Sequence, residues 1–170
     1  MSEIIENEDM ELTEEEKKVQ IRMNENELIA GLLAAANVED DIRQIEIARH
    51  GKVLFVFSIH ALSEDDYNNA KKKHTKMVKN KQFGMKLPQE TNNVRYRSQL
   101  IYDATVDADK ALLWDNKKVW NPLIKAGVEI VTPLDVIDAV LRAGEKDAVI
   151  EQIDKLSGFE DNNLEEVAKN

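Results

Sequence analysis

The sequence predicts an α+β fold: mainly α with one β-hairpin, the helices packed around a short antiparallel strand pair, and an αα-hairpin at the C-terminal end. Three observations carry this expectation. Apolar residues alternate on both sides of a turn at Arg49, His50, Gly51 and Lys52, with Ile45 and Ile47 before it and Val53, Phe55, Phe57 and Ile59 after it. Ser63 stands directly before Glu64, Asp65 and Asp66, an N-cap followed by acids that favour the first turn of a helix. Thr132, Pro133 and Asp135 repeat that signal ahead of an apolar stripe of helical period, and a second stripe follows after Gly144.

Taken in order, Thr13 and Glu16 have the spacing of a capping box and predict a short helix. Val19, Ile21 and Met23 alternate with polar residues, so this run reads either as a continuation of that helix or as a strand beside the hairpin. Leu28, Ile29, Leu32, Leu33 and Ala36 form a helical stripe that Asn37 can stop. The core is the expected place for this stripe, and Leu28 and Leu32 are the candidate contacts if it is instead a binding face. The hairpin occupies 42–60, with Gly51 suited to a positive φ in its turn.

After Ser63 a helix is expected to run to about Asn80, with Tyr67, Ala70, His74, Met77 and Val78 on its buried side and lysines over the rest. Gly84 to Asn93 reads as a loop. Val94, Arg97, Leu100, Ile101 and Ala104 predict a further helix, Asp107 a cap for another, and Trp114 and Trp120 are expected in the core. Pro122 should interrupt any long helix there, and Gly127 should end the segment. Leu134, Ile137, Val140 and Leu141 form the stripe of the next helix, which Gly144 closes. Val149, Ile150, Ile153 and Leu156 form that of the last, stopped by Gly158.

The net charge of -10 is concentrated at the ends. Met1 to Glu16 holds eight acids and no base, and Phe159 to Asn170 holds four acids against one lysine, which leaves the middle at a net +1. A nucleic-acid mimic needs carboxylates spread over a folded face, so the terminal runs read as solvated arms and no nucleic-acid partner is expected. The expected organisation is an acidic, flexible arm over 1–24, one folded domain over 25–158 and an acidic tail over 159–170. No apolar run approaches the roughly 20 residues of a membrane span, so no membrane partner is expected. The absence of cysteine fits a reducing compartment.

Chemistry leaves no trace in the sequence. His50, His60 and His74 have no metal-ligand spacing, and no phosphate-binding, dinucleotide or nucleophile-elbow motif is present. No catalytic residue, metal or cofactor is expected.

The order and spacing of several short words are more informative. Ala104-Thr105 is followed by Gly127-Val128, Thr132-Pro133, Leu141 and Gly144-Glu145. The closing run is Leu156-Ser157-Gly158-Phe159, an acidic patch, Leu164-Glu165-Glu166-Val167 and Lys169-Asn170. With the Leu28 to Ala36 helix, the Arg-x-Gly turn and Ala61-Leu62-Ser63-Glu64, this pattern from Glu25 to Asn170 resembles the XkdN-like phage tail assembly chaperones of Gram-positive phages and prophages. The stretch from Asp103 to Gly127 departs from it by carrying two tryptophans and Pro122. The resemblance implies a non-enzymatic protein of the host bacterial cytoplasm, absent from the mature virion. Its implied partners are the tape-measure protein, kept soluble during tail assembly, together with tube subunits and other tail proteins. The alternatives are a structural tail component of the virion and an acidic inhibitor that mimics DNA.

Phe159, Leu164 and Val167 are the remaining candidate contacts, because they are apolar residues in an otherwise acidic tail. Leu164 and Val167 are three apart and share one side of a helical turn. They serve either as a client contact or as an anchor that packs back on the protein's own helices.

Overall fold

A computed structural model describes residues 13–37 and 41–159 of the chain, without the side chains of 20–23. The compact packing divides it into two units, 1–37 and 38–170.

The N-terminal unit contains α1 (Glu14–Met23) and α2 (Glu25–Ala36). Thr13 and Glu16 form the capping box: Oγ1 of Thr13 accepts from the Glu16 N–H at 3.2 Å, and Glu16 accepts from the Thr13 N–H at 2.9 Å. The helix continues through Val19 to Met23, which decides between the two readings of that run. Residues 14–23 of the expected flexible arm are therefore helical, and 1–12 lie outside the described residues. Asn24 caps α2 by accepting from the Glu27 N–H at 3.3 Å. The expectation that the Leu28 stripe is core is corrected, since α2 buries none of its residues. The packing boundary at 37/38 also places α2 with α1, whereas the sequence reading put it in the 25–158 body.

The second unit contains β1 (Ile42–Arg49), β2 (Lys52–His60), α3 (Glu64–Lys73), β3 (Thr75–Lys79), β4 (Lys86–Thr91), α4 (Asn93–Ala104), α5 (Asp107–Leu112), α6 (Lys117–Lys125), α7 (Pro133–Val140) and α8 (Ala143–Leu156). β1 and β2 pair antiparallel around a turn in which His50 (φ 53) and Gly51 (φ 76) are both left-handed. Positive φ at both central positions gives the twist that closes a two-residue hairpin. Ile45, Ile47, Phe57 and Ile59 point into the core, and a bulge opposite Ile47 and Ala48 leaves Val53 at the exposed end.

α4 is the hub. Ser98, Leu100, Ile101 and Ala104 are buried on it, and it packs against α3, α7, α8 and β2. The residue that caps its C-terminus, Thr105, bridges to Ile59, and the Val106 N–H donates to the Ser58 carbonyl at 3.0 Å, which covers the outer edge of β2 at its C-terminal end. Both tryptophans are core, as expected. Trp114 stands edge-on to Phe57 at 5.4 Å and donates from Nε1 to Thr105 Oγ1 at 3.0 Å, and Trp120 Nε1 donates to the Trp114 carbonyl at 2.7 Å.

A polar cluster ties three helices together. Asp138 of α7 accepts from Ser98 of α4 and Lys146 of α8 and pairs with Arg95 of α4, which also reaches Asp135. Arg49, at the hairpin turn, donates to the Val140 carbonyl at 2.7 Å and forks onto Glu145 at 2.6 and 3.0 Å.

Several local expectations are corrected. The Ser63–Asp66 capping box starts α3 as expected, but the helix stops at Lys73, where the Thr75 hydroxyl takes the Lys71 carbonyl at 2.6 Å. The chain then forms a second hairpin, β3 with β4, in place of a longer helix and a loop. Met77 and Val78 are thus exposed on a strand instead of buried on a helix. β-Branched Thr75 and Val78 suit a strand, and Pro88 is tolerated because it lies at an irregularity beside an open edge. Val106, with no side-chain bond, precedes α5 where Asp107 was expected as the cap. Pro122 lies inside α6; it removes one intrahelical donor, and burial of Trp120 beside Val119 and Leu123 outweighs that loss. Gly144 lies within the first turn of α8, since the Glu145 carboxylate caps the Arg142 N–H at 2.8 Å and starts the helix one residue before the glycine. Gly127 (φ 92) and Gly158 (φ 94) end α6 and α8 as expected, each within a pair of hydrogen bonds that returns to the last turn.

Candidate partner-binding surface

The sequence-derived contact residues fall on two surfaces, one in each unit. Leu28 and Leu32 lie on α2 with Ile29 and Leu33, and the four are 36, 61, 48 and 68% exposed. They are spaced i, i+1, i+4 and i+5, so they form one continuous apolar face. Ala30, Gly31 and Ala34 to Ala36 fill the remaining turns with small residues, which permits close approach of another helix. Sequence reasoning expected the whole stripe in the core and named Leu28 and Leu32 as contacts if it were a binding face; Ile29 and Leu33 belong to the same exposed face.

Phe159 is exposed, with its ring edge-on to Tyr67 of α3 at 5.6 Å. The phenol of Tyr67 donates to Asp154 at 2.7 Å, and burial pushes its pKa well up. Leu164 and Val167 lie outside the described residues.

Sequence reasoning did not find the open groove of about 730 Å³ between α3 and the second hairpin, lined by Lys71, Lys72, Thr75, Met77, Pro88 and Thr91. Its signal was present in the alternation that follows Thr75, but the lysine-rich flank reads equally as a solvated helix face. Phe83, Met85 and Leu87 are exposed on or near the same hairpin.

The shifted titrations have structural partners. Burial and a hydrogen bond to Asp115 raise the Tyr102 phenol to about 12. Burial raises Asp103. For Asp135 burial acts upward, but the backbone N–H groups of Thr132 and Val131 and the Arg95 guanidinium outweigh it and hold the carboxyl below its ordinary value. The Arg49 hydrogen bond does the same for Glu145. Both groups bind protons less readily folded than unfolded. Their stabilisation is therefore complete above the ordinary carboxylate range, about 4, and is lost as pH falls through the lowered folded values. Asp103 acts in the opposite sense. The expected result is a melting temperature that drops as pH is lowered below about 4, with a shallower drop in Asp135→Asn. Thermal melts of both proteins from pH 3 to 7 check it, and equal slopes would contradict the assignment.

No group of histidine, aspartate or glutamate side chains able to hold a metal occurs among the described residues, and none of their helices is long and apolar enough to cross a membrane. The described residues define an α+β fold: the second unit holds a full core and a lysine-flanked groove, and the first an apolar helix none of whose residues is buried among the described residues. Over residues 29–170 the chain matches the family described as phage XkdN-like tail assembly chaperone protein, and it belongs to that family. The family expected from sequence is thereby shown, and the α+β class expected holds with a second hairpin added to the one predicted. No curated protein matches the chain. A solved structure, the crystal structure of the protein yqbn, is similar at 18% identity over 71% of this chain and 88% of that one, with a TM-score of 0.39.

Proposed function

We propose that this protein acts without catalysis as a tail assembly chaperone in the host bacterial cytoplasm, binding the tape-measure protein, and tube subunits with it, and leaving before the virion is complete. Family membership supports the general role, and the uncovered apolar face of α2 supports the mode of binding. An apolar helical face left in water is unfavourable by roughly 25 cal/mol per Å² until a partner covers it. A long helical client with exposed apolar stripes has the complementary need. Many shallow contacts of this kind hold a client reversibly, which suits a protein that must depart as tube subunits close around it.

Replacing Leu28 and Leu32 with serine tests this reading. Both side chains are exposed, so the melting temperature should stay within about 2 °C of the wild type. Recovery of co-expressed tape-measure protein should fall about tenfold or more, the scale expected for removing two apolar anchors from an interface. Unchanged recovery would overturn α2 as the contact. Mass spectrometry of purified particles separates the chaperone from a structural tail component, because only the latter remains in the virion.

A further inference from the structure

We propose that the groove between α3 and the β3–β4 hairpin is the seat of this chain's own C-terminal segment, residues 160–170. The groove joins two chemistries. Met77 and Pro88 supply an apolar surface, and Lys71 and Lys72 stand on its α3 wall. Lys76, Lys79, Lys81 and Lys86 extend the positive field along the hairpin, and none of these six lysines has an ion-pair partner among the described residues. Glu90 is the one acid in the lining.

The segment carries the complement. Glu160, Asp161, Glu165 and Glu166 surround Leu164 and Val167, against a single base, Lys169. An acidic segment with two apolar residues can cover Met77 and Pro88 while setting carboxylates against Lys71 and Lys72. Its starting point is also correct. Phe159 packs edge-on against Tyr67, and Tyr67 lies on α3 one turn before Lys71, about 6 Å along the axis. Leu164 follows five residues later, a reach of up to about 17 Å for extended chain. The anchor therefore starts the segment one turn from the α3 wall of the groove, and the short tether makes its local concentration there about millimolar. Surface charge pairs alone contribute little, so the apolar contact fixes the position and the lysines choose an acidic occupant.

The absence of native cysteine permits a direct test in the full chain. In Met77→Cys/Leu164→Cys, mild oxidation should form an intramolecular disulfide about tenfold faster than in Val131→Cys/Leu164→Cys, whose first cysteine replaces an exposed residue that does not line the groove. Adding Lys71→Glu and Lys72→Glu should slow the reaction several-fold with an unchanged circular dichroism spectrum. Equal rates in the two cysteine pairs would overturn the proposal. So would a disulfide formed mainly between two chains, which would assign the groove to a second copy, or a rate insensitive to the lysine changes.

Discussion

Replacing Trp114 with alanine is expected to lower the free energy of unfolding by about 4 kcal/mol, the scale measured when a large buried aromatic is truncated and its site cannot collapse. Trp114 is 1% exposed. Its ring meets Phe57 and Phe55 edge-on at 5.4 and 6.2 Å, so three aromatics are packed in the geometry their quadrupoles prefer. Nε1 also donates to Thr105, whose hydroxyl in turn donates to the Ile101 carbonyl at 2.6 Å. Truncation opens a cavity beneath β2 and removes a donor from a fully buried hydroxyl. Trp114→Phe retains most of the packing and should lose about half as much. Urea unfolding followed by circular dichroism measures both variants, and a loss below about 1 kcal/mol for the alanine variant would show that this corner of the core repacks freely.

Asp138→Leu is expected to destabilise the fold by about 3 kcal/mol, because it leaves the ammonium of Lys146 buried without its carboxylate. Lys146 is 4% exposed, and the same carboxylate accepts from Ser98 and pairs with Arg95. Removing Asp138 strands the Lys146 cation, leaves the Ser98 hydroxyl with only the Val94 carbonyl at 3.1 Å, and loosens the junction of α4, α7 and α8. The lower end of the usual range applies because Asp138 retains some solvent contact. The converse change, Lys146→Met, leaves Asp138 with Arg95 and Ser98 and should cost far less. The double variant Asp138→Leu/Lys146→Met should recover most of the loss, since an apolar pair of similar volume needs no charge partner. A double variant no more stable than Asp138→Leu alone would show that packing, and not the stranded charge, carries the effect.

The two variants also separate what was visible before the structure. That Trp114 is core followed from its size, since the two tryptophans are the largest apolar side chains of the chain. That Lys146 is buried did not, because a lysine in a helix rich in Glu and Asp reads as solvent-facing, and its partner lies on a different helix. Ser98 and Gln99 were missed for a related reason: each draws a hydrogen bond from another element, Asp138 for Ser98 and His74 for Gln99, beside a partner within α4 itself, Val94 and Asp103.

By itself the sequence determined the features that depend on neighbours within a turn or two: the Thr13, Ser63 and Thr132 starts, the left-handed turn at Gly51, the stops at Gly127 and Gly158, and the alternation of the first hairpin. Backbone sterics and capping hydrogen bonds act over three or four residues, so the residues that satisfy them are adjacent in the chain. The family resemblance was legible likewise, from the order of those local words. Only the tertiary structure decided which apolar faces are covered. The stripes of α2 and α4 are both apolar at helical spacing, yet α4 is enclosed by α3, α7, α8 and β2 while α2 buries no residue. It also turned Met77 and Val78 outward, by ending α3 at Lys73 and pairing β3 with a strand that begins at Lys86. Burial is set by contacts between residues distant in sequence, and a pattern of side chains states only that a face can be buried, not what buries it.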